Sequence, residues 1–68
     1  MKLSPREREI VDLVGGEQLT YPEVGERLGI ATSTVKVYVY RIRDRSDRTA
    51  KPRAILTKLH YEARSPMV

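Results

Sequence analysis

An all-α domain of four short helices, at about residues 5–14, 21–28, 32–45 and 50–63, is what this sequence predicts, on three observations. Two segments, Ser4-Pro5-Arg6-Glu7 and Thr20-Tyr21-Pro22-Glu23, have the form of a capping box with Pro in the first turn. Apolar residues recur at the i, i+3, i+4 spacing of one helix face. Glycines at 15, 16 and 29 stand where the helical patterns end.

The first helix starts at Pro5, with Ser4 as cap and Glu7 returning the bond. It carries Ile10, Val11, Leu13 and Val14 inward and ends at Gly15-Gly16. The second starts behind Thr20, with Leu19 placed as a hydrophobic staple. Val24 and Leu28 share its buried side. Gly25 in mid-helix costs roughly 1 kcal/mol relative to Ala, which implies close approach of another helix. Gly29 supplies the left-handed residue that ends it.

Hydroxyls at Thr32, Ser33 and Thr34 open the third helix. A 100° wheel puts Val35, Tyr38, Val39 and Ile42 on its buried side, and Ser33, Lys36, Val37, Tyr40 and Asp44 on the other. Residues 46–51 read as a polar loop. Pro52 then lies in the first turn of a fourth helix with the apolar stripe Ile55, Leu56, Leu59 and Ala63. The whole of 1–68 is one domain, and 64–68 reads as a flexible tail.

A chain of 68 residues buries only about 60% of the surface its unfolded form exposes, so its stability margin is thin. With no Cys, Trp or Phe, the core must come from aliphatic residues. The lack of Cys excludes disulfides and thiolate metal sites, and His60, placed on the surface of the last helix, has no second ligand. No metal or cofactor is expected. Nor can a nucleophile, base and orienter be assembled, so the reading is not an enzyme. No apolar run approaches the ~18 residues needed to cross a bilayer, and a soluble cytoplasmic protein is expected.

Charge is distributed unevenly. Residues 1–35 hold four Lys/Arg against six Asp/Glu, whereas residues 36–68 hold nine against three, within an overall net charge of +4. That asymmetry points to a polyanion-facing second half, the alternative from charge alone being a solvated basic surface. The third helix, preceded by a short helix and only Gly29-Ile30-Ala31, forms a helix-turn-helix pattern. Such a turn lets the first helix cross a sugar-phosphate backbone while the second enters the major groove, which is about 12 Å wide.

The segments Leu3-Ser-Pro-Arg-Glu-Arg-Glu-Ile10, Glu23-Val-Gly-Glu-Arg-Leu-Gly-Ile30 and Ser33-Thr-Val-Lys-Val-Tyr-Val39 resemble the DNA-binding domain of LuxR-type response regulators. They are also similar to the last, promoter-reading domain of bacterial sigma factors. Leu19-Thr20-Tyr21-Pro22-Glu23 follows the sigma pattern, whereas the apolar fourth helix follows the LuxR-type one, where that helix mediates dimerisation. Ala31 stands where LuxR-type domains often have a Ser cap, which leaves Thr32 to cap the third helix.

The LuxR-type resemblance implies base contacts from Lys36, Val37 and Tyr40, residues that the wheel already turns outward together with Ser33. Lys36 can donate to guanine O6 or N7, and Val37 can meet a thymine methyl. Thr32 and Thr34 offer donors at a helix N-terminus for phosphate. Arg41, Arg43, Arg45 and Arg48 are candidates for further phosphate contacts, unless they pair with Asp44 and Asp47.

Ile55, Leu56 and Leu59 are the candidate dimerisation residues. The implied function is a sequence-specific, DNA-binding transcription regulator, standalone without a sensing domain. Its implied partners are double-stranded DNA and a second copy through the fourth helix, with no membrane. The alternative is a sigma-like interaction module for RNA polymerase or another regulator.

Overall fold

The computed structural model describes residues 2–64 as four helical stretches, with no strand among them. The first, α1, spans Pro5–Val11. Its capping box forms as the sequence implies: the Ser4 hydroxyl accepts from the Glu7 N–H at 3.2 Å, and the Glu7 carboxylate accepts from the Ser4 N–H at 2.8 Å. Instead of ending at residue 14, the helix widens without a break into a π-helical stretch, Asp12–Gly16, closed by Glu17 N–H donating to the Asp12 carbonyl at 3.0 Å. Gln18 follows in the left-handed region at φ 60°, steadied by its side-chain amide donating to the Gly15 carbonyl at 2.6 Å.

Helix α2, Tyr21–Leu28, repeats the capping box, with Thr20 accepting from Glu23 N–H at 3.3 Å and Glu23 accepting from Thr20 N–H at 2.8 Å. Helix α3 spans Thr32–Ser46 and helix α4 spans Pro52–Arg64. The fourth helix therefore starts two residues later than expected. The Asp47 carboxylate accepts from the N–H of Thr49 at 3.0 Å and from its hydroxyl at 2.6 Å, which fixes a local turn ahead of Lys51. Those bonds also hold the Asp47 carboxyl below its ordinary pKa. Residues 65–68, most of the expected tail, lie outside the described residues. No described helix is long and apolar enough to cross a membrane.

The core gathers Ile10, Val11, Leu13 and Val14 with Val24, then Val35, Val39 and Ile42, then Ile55 and Leu56. These are the stripes the periodicity marks, except that Ala63 is exposed and Leu28 only half-buried. Burying each Val or Ile side chain contributes about 1.5–3 kcal/mol before the entropy of ordering is subtracted. Tyr38 and Leu59 are half-buried at the margin.

Two expectations about α4 need correction. Ile55 and Leu56 retain only 5% and 0% of their surface. Both side chains close the core of a single chain, so neither is available as a dimer face. His60 is not on the surface but buried, with Nδ1 2.9 Å from a carboxylate oxygen of Asp12 and its ring against Gly16, where a Cβ would fall 2.5 Å away. A helix wheel drawn for α4 alone could not show this, because the π-helical stretch of the first helix is what covers His60.

Gly15 is where α4 comes closest: a Cβ there would collide with the backbone carbonyl of Leu56. Gly29, by contrast, has φ 70° and open space around it. Gly15→Ala should therefore cost about 3 kcal/mol through overpacking of backbone, and Gly29→Ala only about 1 kcal/mol through the left-handed conformation. Urea unfolding of the two variants checks this, and equal losses would contradict the tight seat at Gly15.

Candidate nucleic-acid interface

The angle between α2 and α3 is set in six residues. Ile30 N–H donates to the Gly25 carbonyl at 2.9 Å, and a Cβ on Gly25 would lie 2.6 Å from the Ile30 carbonyl oxygen. The close approach expected at Gly25 is thus made by the turn folding back on its own helix, not by the axis of another one. Gly29 supplies the left-handed step at φ 70° that makes the reversal possible. Ile30 packs partly buried against the core, which fixes the turn to the domain.

From that turn α3 leaves with its sides sharply divided. Val35, Val39 and Ile42 are fully buried. Ser33, Lys36, Val37, Tyr40 and Arg41 are exposed, and Val37 and Tyr40 keep 46% and 44% of their surface open although both are large hydrophobic side chains. The four residues expected to meet base edges, Ser33, Lys36, Val37 and Tyr40, are therefore brought to one exposed side. At the start of the helix, Thr32 does not act as the cap. The cap position is Ala31, which has no side-chain acceptor, and Thr32 is already the first helical residue. The first N–H groups of α3 consequently have no side-chain acceptor, and Ser33 and Thr34 stand exposed beside them.

The arginines separate by partner. Among the described residues, Arg41 and Arg48 are exposed and make no ion pair, and the same holds for Lys36. Arg43 bonds Asp44 through Nε at 3.3 Å and Nη2 at 3.1 Å, and its guanidinium lies over the Tyr40 ring, 5.4 Å from the centroid. Arg45 points the other way. It pairs with the Glu7 carboxylate and donates from Nη2 to the Lys2 carbonyl at 2.8 Å. The expectation that Arg45 meets phosphate is corrected accordingly: it ties the end of α3 to the start of α1.

Two residues of this region escaped the sequence reading. Arg53 of α4 donates from Nη2 to the Leu19 carbonyl at 3.0 Å and sits over the Tyr21 ring, 5.5 Å from the centroid. Partial burial pushes the Tyr21 phenol above its ordinary pKa, against the pull of the Arg53 charge. A separation of 32 positions along the chain gave no local signal for this pair.

Glu7 is held below the usual carboxyl range, first by the Ser4 N–H bond and also by the Arg45 charge, against the opposing effect of burial. A depressed carboxyl stabilises the fold above its unfolded pKa and loses that contribution as pH falls through its folded value. Glu7→Gln should be less stable than the native chain at pH 7, and the difference should shrink as pH is lowered through about 4 and below. Thermal melts across that range test it, a constant gap being the contrary result. Arg45→Ala should lower stability by about 1 kcal/mol while leaving the salt dependence of any nucleic-acid binding unchanged.

Residues 1–45 match the family model described as sigma-70, region 4. The match ends within α3, so α4 lies outside it. No curated protein and no solved structure matches the chain.

Proposed function

The chain belongs to the sigma-70 region 4 family, a helix-turn-helix DNA-binding type, and on that premise we propose that it binds double-stranded DNA sequence-specifically through α3 and regulates transcription. One observation carries the reading: Ser33, Lys36, Val37 and Tyr40 form an exposed side of α3 directly opposite a stripe that is wholly buried. A helix held that firmly from behind can enter the major groove without disturbing the core.

In this reading Lys36 donates to guanine O6 or N7, Val37 contacts a thymine methyl and Tyr40 lines the groove wall. The uncapped N–H groups at the start of α3, with Thr32, Ser33 and Thr34, meet a phosphate favoured by the helix dipole. Arg41 and Arg48, which have no internal partner among the described residues, add phosphate contacts that position without specifying. The reading includes no catalytic step. A homodimer through α4 would need a surface other than Ile55 and Leu56.

A second reading rests on α2, where Glu23 and Glu26 are exposed and line a shallow pocket with Leu19 and Arg27. That acidic side suits a basic protein surface, on RNA polymerase or on another regulator. The two readings separate by mutation. Lys36→Ala should cost about 1–3 kcal/mol at one base pair of a selected site, whereas Arg41→Ala should weaken all duplexes alike and flatten the salt dependence by roughly one unit. Titration of each variant against selected and random duplexes measures both. Equal losses on both duplexes for both variants would remove the base-reading role of Lys36, and absence of binding at low salt would favour the protein partner.

A further inference from the structure

Two guanidinium–phenol pairs lie on the helix-turn-helix and on α4. The Arg53 guanidinium of α4 lies over Tyr21, the first residue of α2, and that of Arg43 over Tyr40 of α3. We infer that the Arg53–Tyr21 pair is a clamp for one DNA backbone phosphate, with the guanidinium and the phenol as its donors. The inference rests on the DNA-binding reading above and adds to it a contact from α4, the helix outside the family match.

Position favours this ligand. When the second helix of a helix-turn-helix enters the groove, the first lies across the sugar-phosphate backbone, so the start of α2 is brought against the strand flanking the bases that α3 reads. Donor capacity favours it as well. A guanidinium has five N–H donors, and Arg53 commits one to the Leu19 carbonyl; it forms no carboxylate pair among the described residues. The guanidinium lies 5.5 Å from the Tyr21 ring centroid, and its remaining N–H donors can fork onto phosphate oxygens. The Tyr21 hydroxyl, a neutral phenol, is a donor as well.

A purely structural role, in which Arg53 staples the start of α4 to the residue before Thr20, makes a different prediction. Dissociation constants for the whole chain, Arg53→Gln and Tyr21→Phe should be measured on a selected duplex and on a random one, from about 50 to about 200 mM salt. The clamp predicts that Arg53→Gln weakens both duplexes by the same factor and lowers the slope of log affinity against log salt by about 0.9. Tyr21→Phe, which keeps the ring under Arg53, should weaken both by roughly tenfold with the slope unchanged. An Arg53→Gln protein that melts lower but keeps the native slope and affinity would overturn the clamp in favour of the staple. If Arg53→Gln fails to fold, Tyr21→Phe decides: native affinity overturns the inference and a shared loss supports it. Loss of binding to every duplex by the unaltered chain would overturn the DNA-binding reading itself. Retained sequence preference with both variants behaving as native would overturn only the clamp.

Discussion

Backbone packed against backbone at Gly25 and Ile30 governs the rest of this small domain. Any side chain at residue 25 would have to occupy the space of the Ile30 carbonyl, 2.6 Å from where its Cβ would be. The turn therefore closes only with glycine there, and Gly29 completes it from the left-handed region. Once the reversal is closed, the direction of α3 follows. Its aliphatic stripe must then meet α1 and α2, which leaves Lys36, Val37 and Tyr40 on the outside. The reading side is thus a consequence of a steric constraint at Gly25, upstream of its first side chain at Ser33.

The seat of α3 has further support from α1 and α4. The first helix widens into a π-helical stretch at Asp12–Gly16, and this brings two glycines against α4. Leu56 and His60 fill the space, and the His60–Asp12 contact satisfies a polar group that would otherwise be costly to bury. From the other side, Arg45 ties the last turns of α3 to Glu7 in α1. The cation that looks most like part of a phosphate-binding series thus serves the fold, and its neighbours Arg41 and Arg48 remain outward. In so short a chain these few polar ties supplement a core built almost wholly of Val, Ile and Leu.

What could be read in the sequence was whatever depends on near neighbours. Both capping boxes, the left-handed Gly29 and the inward stripes of α1 and α3 follow from residues three or four apart, and the structure has them where the pattern puts them. Features that depend on distant parts of the chain were hidden. Nothing within the first helix distinguishes a stop at Gly15-Gly16 from a widened turn seated on Leu56. His60 was placed on the surface because its cover is 48 residues away. The Arg45–Glu7 and Arg53–Tyr21 pairings were missed for the same reason. Thr32 failed as a cap because three successive hydroxyls leave the helix start ambiguous by one residue, and the turn geometry places Ala31 there.

The candidate site divides along the same line. The outward residues of α3 were identified by helical period alone, while the assignment of each arginine required the tertiary partners. The central claim is that the exposed side of α3 is the surface that meets DNA. Backbone amide shifts of the labelled chain, followed by NMR during titration with duplex DNA, test this most directly. The account predicts that the largest changes run from Thr32 to Arg41 and reach Tyr21. Changes confined to Glu23, Glu26 and the exposed side of α2, or none at all, would contradict it.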